Sequence, residues 1–311
     1  MDCFKQTVET LRNVQIYPSK VRIEPNDKTA KAIFNLDGNS YAALLHGAKG
    51  SVTEKKNHAK FGKISTPVTI SNFDGYSNLT PLTEFERAVL SVCISEFLAG
   101  NAYTTPNVIF RALIGKVGES AITPSKNQFK AILNAIDKLM FTKFEADIKQ
   151  SFEQLKYANG DEIRIKKSSI LPACLVDAKI NGQLLQDVVC FDRESPIFTL
   201  ANLKNQIVRY ETSLLDVPNQ NNTPRIIAVK NYVLRRICEI KLHQMTPTIT
   251  FDDIFKKCRI DISSRDIKMD ARTVVLKLFE HIQYNNFIKS FQLRRSNNGS
   301  KLCGILFDFQ A

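Results

Sequence analysis

The side chains that most readily carry catalysis are few and badly spaced for it. His46, His58, His243 and His281 contain no His-x-His pair, which a metal-dependent DNA-nicking endonuclease would need beside a tyrosine nucleophile. Cys3, Cys93, Cys174, Cys190, Cys238, Cys258 and Cys303 are scattered, with no Cys-x-x-Cys and no histidine at metal spacing. Their odd number in a chain of 311 residues points to reduced thiols rather than a disulfide framework. The run His46-Gly47-Ala48-Lys49-Gly50-Ser51 resembles a phosphate loop only in composition. It lacks the spacing that lets backbone amides surround a phosphate while the lysine follows the last glycine. Asp252-Asp253 suits a helix N-terminus as well as a metal. Gly-x-Ser-x-Gly and His-Glu-x-x-His are absent. The expectation is a protein with no catalytic residue, no metal and no cofactor.

Binding chemistry is better represented. Lysine and arginine number 43 against 31 acids, a net charge of +12 and a pI near 9.3. Residues 225–311 hold 16 basic and 8 acidic side chains, whereas residues 81–224 hold 16 of each. Two-thirds of the excess therefore lies in the last 87 residues. Basic chains bind polyanions, and clustered arginine can read guanine edges while lysine neutralises phosphates. The chemically apt residues in this region are Arg265, Lys268, Arg272, Thr273 and Lys277, then Arg294, Arg295 and Lys301. A second, less basic set is Lys126, Asn127, Lys130 and Asn134, with Arg164, Lys166 and Lys167 further on.

Those residues need elements to present them. Thr83-Glu84-Phe85-Glu86 is a capping box, and Val89, Leu90, Cys93, Ile94 and Phe97 follow at helical spacing. Thr105-Pro106 opens a second helix that stops at Gly115, and Thr123-Pro124 opens a third. Strand-like runs follow at Phe144–Ile148, Glu162–Ile165 and Ala173–Ile180, the last closed by Asn181-Gly182. Three helices and a hairpin make a winged helix. The plan then recurs: helices over Ala228–Ile240, from Thr250, and over Asp266–Ile282, then a hairpin from Phe287–Arg294 through Asn297-Asn298-Gly299 to Lys301–Phe309. Leu90 to Phe110 spans 20 residues and Leu234 to Phe255 spans 21. With Leu278 facing a core, Arg265, Met269, Arg272, Thr273 and Glu280 turn outward at about 100° per residue, flanked by Lys268 and Lys277. In the first repeat Asn127, Lys130, Asn134 and Lys138 take the outward positions, with Lys126 near the helix entry, and its hairpin carries Arg164, Lys166 and Lys167.

The sequence thus predicts an α+β chain of two tandem winged-helix domains, 81–194 and 195–311, the second being the main DNA-binding module. Residues 1–80 are predicted to be irregular and partly β, with strand-like pieces at Val14–Tyr17, Ala32–Leu36 and Pro67–Ile70. Lys49–Lys63, with five lysines and one acid, reads as a mobile basic loop. No apolar run approaches the ~20 residues of a membrane span, and the N-terminus has no signal-peptide pattern, so a cytoplasmic chain is expected.

Several short motifs resemble plasmid replication initiators, the Rep proteins. Ser195-Pro196-Ile197-Phe198-Thr199-Leu200-Ala201, Gln206-Ile207 and Leu214-Leu215-Asp216 are similar to that family's joint between two winged helices. Tyr232-Val233-Leu234-Arg235-Arg236-Ile237 is similar to the long helix after it, and Gly304-Ile305 to its last strand. The resemblance covers residues 82–309; the first 80 residues depart from the pattern. It implies a non-enzymatic initiator that binds direct repeats (iterons) in double-stranded DNA through both modules, and that helps open an AT-rich segment. It also implies recruitment of a host initiator ATPase and replicative helicase, and a homodimer through the first module that is inactive in initiation. A winged-helix transcriptional regulator and a protein-interaction scaffold are the alternatives that the residues themselves leave open.

Overall fold

The computed structural model describes residues 18–25, 54–61, 64–72, 82–147, 164–180, 183–203, 206–296 and 302–310. In chain order they form β1 (Val21–Pro25), β2 (Glu54–Phe61), β3 (Ile64–Asn72), α1 (Glu84–Leu98), β4 (Tyr103–Thr104), α2 (Pro106–Ile114) and α3 (Lys126–Phe141). Next come β5 (Thr142–Asp147), β6 (Arg164–Ser169), β7 (Ala173–Ile180), β8 (Gln183–Phe191), α4 (Pro196–Leu203) and β9 (Ile207–Glu211). A 3-10 turn, Thr212–Leu215, leads to α5 (Pro224–Leu242), β10 (Thr248–Thr250), α6 (Phe251–Lys257), α7 (Arg265–Tyr284), β11 (Ser290–Arg295) and β12 (Leu302–Asp308). The chain is mixed α and β, with small antiparallel sheets.

Local chemistry sets the helix ends. Thr83 and Glu86 close the expected capping box on α1, and Thr105 with Pro106 opens α2. α2 ends at Gly115, whose φ of +87 is a left-handed C-cap. A Cβ there would also lie 2.3 Å from the Asp216 amide nitrogen, so only glycine allows this approach. α3 starts two residues later than expected, because Ser125 rather than Thr123 is the N-cap and Gln128 completes its box. Thr223, Thr250 and Ser264 cap α5, α6 and α7.

The order helix, short strand, helix, helix, hairpin occurs twice, as α1-β4-α2-α3-β7-β8 and as α5-β10-α6-α7-β11-β12. Strand order agrees as well: β4-β8-β7 in one sheet and β10-β12-β11 in the other. The paired positions Leu90 and Leu234, Phe110 and Phe255, Ile132 and Val275 are all buried.

The first copy carries an insertion that corrects two expectations. β5 and β6 join a four-stranded sheet in the order β2-β3-β5-β6, so they are not the hairpin of the first copy. β7 and β8 fill that role. The reason is long-range pairing: Val68–Asn72 of β3 lies antiparallel to Thr142–Ala146 of β5, and nothing local announces it. Residues 54–61, expected within a mobile loop, are strand β2, hydrogen-bonded to β3 along its length. A ladder satisfies backbone groups whatever the side chains, so lysine-rich sequence does not prevent it. Pro67–Ile70 lies in β3. Val14–Tyr17 and Ala32–Leu36 lie outside the described residues.

Two cores result. Ile197 and Phe198 of α4 belong to the first, with Val89, Ile109 and Ile136; Val208 and Tyr210 of β9 belong to the second, with Leu234, Val275 and Phe307. The change of core therefore falls between α4 and β9. Across it, β1 pairs with β9 and α1 packs on α5. This junction is built from buried charge: Arg22 and Glu24 of β1, Glu84 and Arg87 of α1, Arg235 and Glu239 of α5. Arg235 Nη2 lies 2.9 Å from Glu84 Oε2, and its Nη1 lies 3.5 Å from Glu24 Oε2. Arg22 donates to the carbonyls of Ala88 (3.1 Å) and Ala112 (2.8 Å) and to Asn231 Oδ1 (3.3 Å). Tyr210 donates to Glu24 Oε1 at 2.8 Å, and burial beside that carboxylate pushes its phenol well up. Three carboxylates against three guanidiniums is what makes such burial tolerable.

Candidate nucleic-acid interface

α7 buries Ala271, Val274, Val275, Leu278, Phe279 and Ile282 and leaves its other side to solvent. On that side Arg265, Met269, Thr273 and Glu280 are exposed, with Lys268 and Lys277 half-buried at the edges. Thr273 Oγ1 donates to the Met269 carbonyl at 3.0 Å. Arg272 behaves differently from its helical-wheel position. Its guanidinium carbon lies 5.4 Å from the Phe251 ring centroid and 5.7 Å from that of Phe255. Its Nε is buried without a hydrogen-bond partner. Arg272 thus holds α6 against α7 by cation–π contact. The turn before α7 is fixed by Asp261, which accepts from the Ser263 hydroxyl (2.7 Å) and amide (2.9 Å), bonds that hold its carboxyl below the ordinary range. This turn exposes Ile262, with 65% of its surface accessible.

Arg294 and Arg295 of β11 are both exposed, at a register shift against β12. Gly304 lets β12 approach β10: a Cβ there would lie 2.3 Å from the Ile249 carbonyl oxygen. Lys301, with Asn297-Asn298-Gly299, lies outside the described residues. α7 and β11 thus belong to the same repeat of the element order.

In the first copy Lys126, Asn127, Lys130 and Asn134 are exposed along α3, whose Ile132, Ala135, Ile136 and Leu139 are buried. Lys138 does not face outward with them; it pairs with Glu86 of α1 at 2.9 Å. Arg164, Lys166 and Lys167 lie on β6, in a different sheet from the β7-β8 hairpin, and their side chains are outside what is described. Two groups escaped sequence reasoning. One is Ile262. The other is the polar run Asn219-Gln220-Asn221-Asn222-Thr223-Pro224-Arg225, whose composition was legible but whose place between α3 and α7 was not.

Two of the buried thiols are poorly suited to act as nucleophiles. Burial pushes the Cys93 thiol up to about 12 and that of Cys190 up to about 11, the reverse of what a nucleophile needs. Among the described residues no three His, Cys, Asp or Glu side chains converge to hold a metal ion, and no helix is long and apolar enough to cross a membrane.

No protein-family model matches the chain, and no curated protein matches it. Solved structures do. Domains 2–3 of RctB match at 9% identity over 85% of this chain and 93% of that one, with a TM-score of 0.43. A selenomethionine structure of RctB domains 2 and 3 matches at 10% identity over 90% and 97%, TM-score 0.39. The Pi initiator protein in complex with iteron DNA matches at 13% identity over 94% and 97%, TM-score 0.36.

Proposed function

We propose that this chain is a replication initiator that binds double-stranded DNA through two tandem winged-helix modules. The first module spans α1 to α4, and the second, from β9 to β12, supplies most of the affinity. One observation carries the DNA-binding reading: the exposed face of α7 and the exposed β11 arginines both belong to the segment that holds twice as many basic as acidic side chains. In this reading α7 enters the major groove. Arg265 and Thr273 meet base edges, and Met269 and Ile262 offer apolar contact to thymine methyls. Lys268, Lys277, Arg294, Arg295 and Lys301 meet phosphates. Lys126, Asn127, Lys130 and Asn134 of α3 form a weaker second contact. The initiator role rests on the Rep-like motifs at residues 195–216 and 232–237, and with it go direct-repeat binding, recruitment of a host ATPase and helicase, and dimerisation through the first module.

The test is selection of duplexes from a random pool by the full-length chain, followed by binding at several salt concentrations. The expected result is an enriched motif and affinity that falls steeply with salt. Reversing Arg294 and Arg295 to glutamate should weaken every duplex and lower the salt slope by roughly one per lost phosphate contact. No enrichment, with no salt-dependent binding, would contradict the reading.

A further inference from the structure

We propose that the joining segment Asn219–Arg225 and α7 together form a cleft that seats one strand of the DNA backbone, with Arg225 as a phosphate contact. This rests on the DNA-binding reading above and adds to it a site outside the helix-turn-helix and hairpin. The cleft has a volume of about 300 Å³ and is lined by Asn219, Asn221, Arg225, Asp270, Thr273 and Lys277 among others. Thr273 and Lys277 belong to the outer side of α7. A helix lying in a major groove about 12 Å wide has a phosphate strand along each flank. A cleft along one flank of α7 is therefore where one strand passes.

The charges fit that occupant. Arg225 is exposed and, among the described residues, makes no hydrogen bond or ion pair. Lys277 Nζ makes one long contact, 3.5 Å to the Asn219 carbonyl. Asn221 adds a neutral polar group, and Asp270 is the one acid in the lining. The wall opposite α7 is held in place beforehand. Gln128 of α3 donates to the Asn222 carbonyl at 2.6 Å, and Gln220 donates to the Val274 carbonyl at 3.4 Å. The buried Lys230 ammonium donates to Asn222 Oδ1 and to the Leu215 carbonyl, each at 2.8 Å. Three helices thus fix one short loop, so little ordering entropy remains to be lost on binding. Gln128 is a positioning residue here, tying α3 to the cleft beside α7.

The experiment uses the full-length chain and a duplex that it enriches from the random pool, with an uncharged methylphosphonate placed at one backbone position at a time. Arg225→Ala should weaken enriched and random duplexes alike by several-fold and lower the salt slope by about 0.9. Arg225→Lys should restore most of both. At one position flanking the groove, methylphosphonate should weaken the wild type and leave Arg225→Ala unaffected. Asp270→Asn should tighten binding to every duplex. Equal losses for wild type and Arg225→Ala at every position, with an unchanged slope and the enriched duplex still bound, would overturn the cleft and leave the DNA-binding reading standing. Failure of the wild type to bind any duplex would remove both.

Discussion

Replacing Arg235 by methionine should destabilise the chain by about 3–5 kcal/mol, because it strands buried carboxylates at the junction of the two cores. The size follows from the contacts. Arg235 is 1% exposed and faces Glu84 at 2.9 Å, Glu24 at 3.5 Å and Glu239 at 3.8 Å. Its guanidinium also lies 5.3 Å from the Tyr232 ring centroid. Without it, Glu24 retains Arg87 at 4.0 Å and hydroxyls from Tyr210 and Ser91. A methionine of similar length fills the space but leaves the charge. Adding Glu84→Gln to Arg235→Met removes one stranded carboxylate, so the double variant should recover more than about 1 kcal/mol of the sum of the single losses. Urea unfolding of the full-length chain, followed by circular dichroism, measures all three variants. A loss below about 1 kcal/mol for Arg235→Met, or strict additivity in the double variant, would refute the reasoning.

Other consequences are as definite. Gly304→Ala forces a Cβ to within 2.3 Å of the Ile249 carbonyl, so it should cost roughly 1–3 kcal/mol and lower Tm by several degrees; an unchanged melt would contradict the close approach of β10 and β12. Burial lowers the Lys230 ammonium from 10.5 to about 8, so its contribution to stability is complete above about 10.5 and is lost as pH falls through about 8. Stability of the wild type minus that of Lys230→Met should accordingly rise by roughly 3 kcal/mol between those limits; a flat difference in urea titrations would show that the lysine is not desolvated. Arg272→Ala should cost roughly 0.5–2 kcal/mol of stability through its lost ring contacts, and should weaken all duplexes about equally; loss of preference at a single base position would return it to a base-reading role.

Much of the helical frame was legible because its signals are local. Thr83 with Glu86, Thr105-Pro106 and Gly115 act within one turn of the ends they set. The buried stripe of α7 needs only periodicity. What escaped depends on distant partners. β4 has two residues and β10 three, too short for a pattern, and each becomes a strand only by pairing with the last strand of its copy. The first hairpin was legible in part: Ala173–Ile180 is its strand β7, but Arg164, Lys166 and Lys167, assigned to it, lie on β6 of another sheet, whose β5 pairs with the distant β3. Arg22 and Glu24 alternate with Val21 and Ile23 as an exposed face would, yet both are buried, since Glu24 meets arginines of α1 and α5 and Arg22 meets carbonyls of α1 and α2 and Asn231 of α5. At the candidate site, outward direction on α7 was predictable for Arg265, Met269 and Thr273. It failed for Arg272, whose long side chain folds back onto the α6 aromatics. A helical wheel fixes where a Cβ points; a four-atom stem can carry the charge elsewhere.

Guanine methylation interference on the enriched duplex, compared between the wild type and Arg265→Ala, tests the central claim most directly. Methyl groups at guanine N7 project into the major groove, where the exposed face of α7 is placed. The wild type should lose binding when one or two particular guanines are methylated, and Arg265→Ala should bind the methylated and unmethylated duplexes equally at those positions while retaining its salt-dependent affinity. An identical interference map for both proteins, or no interference at any guanine, would contradict the placement of α7 in the major groove.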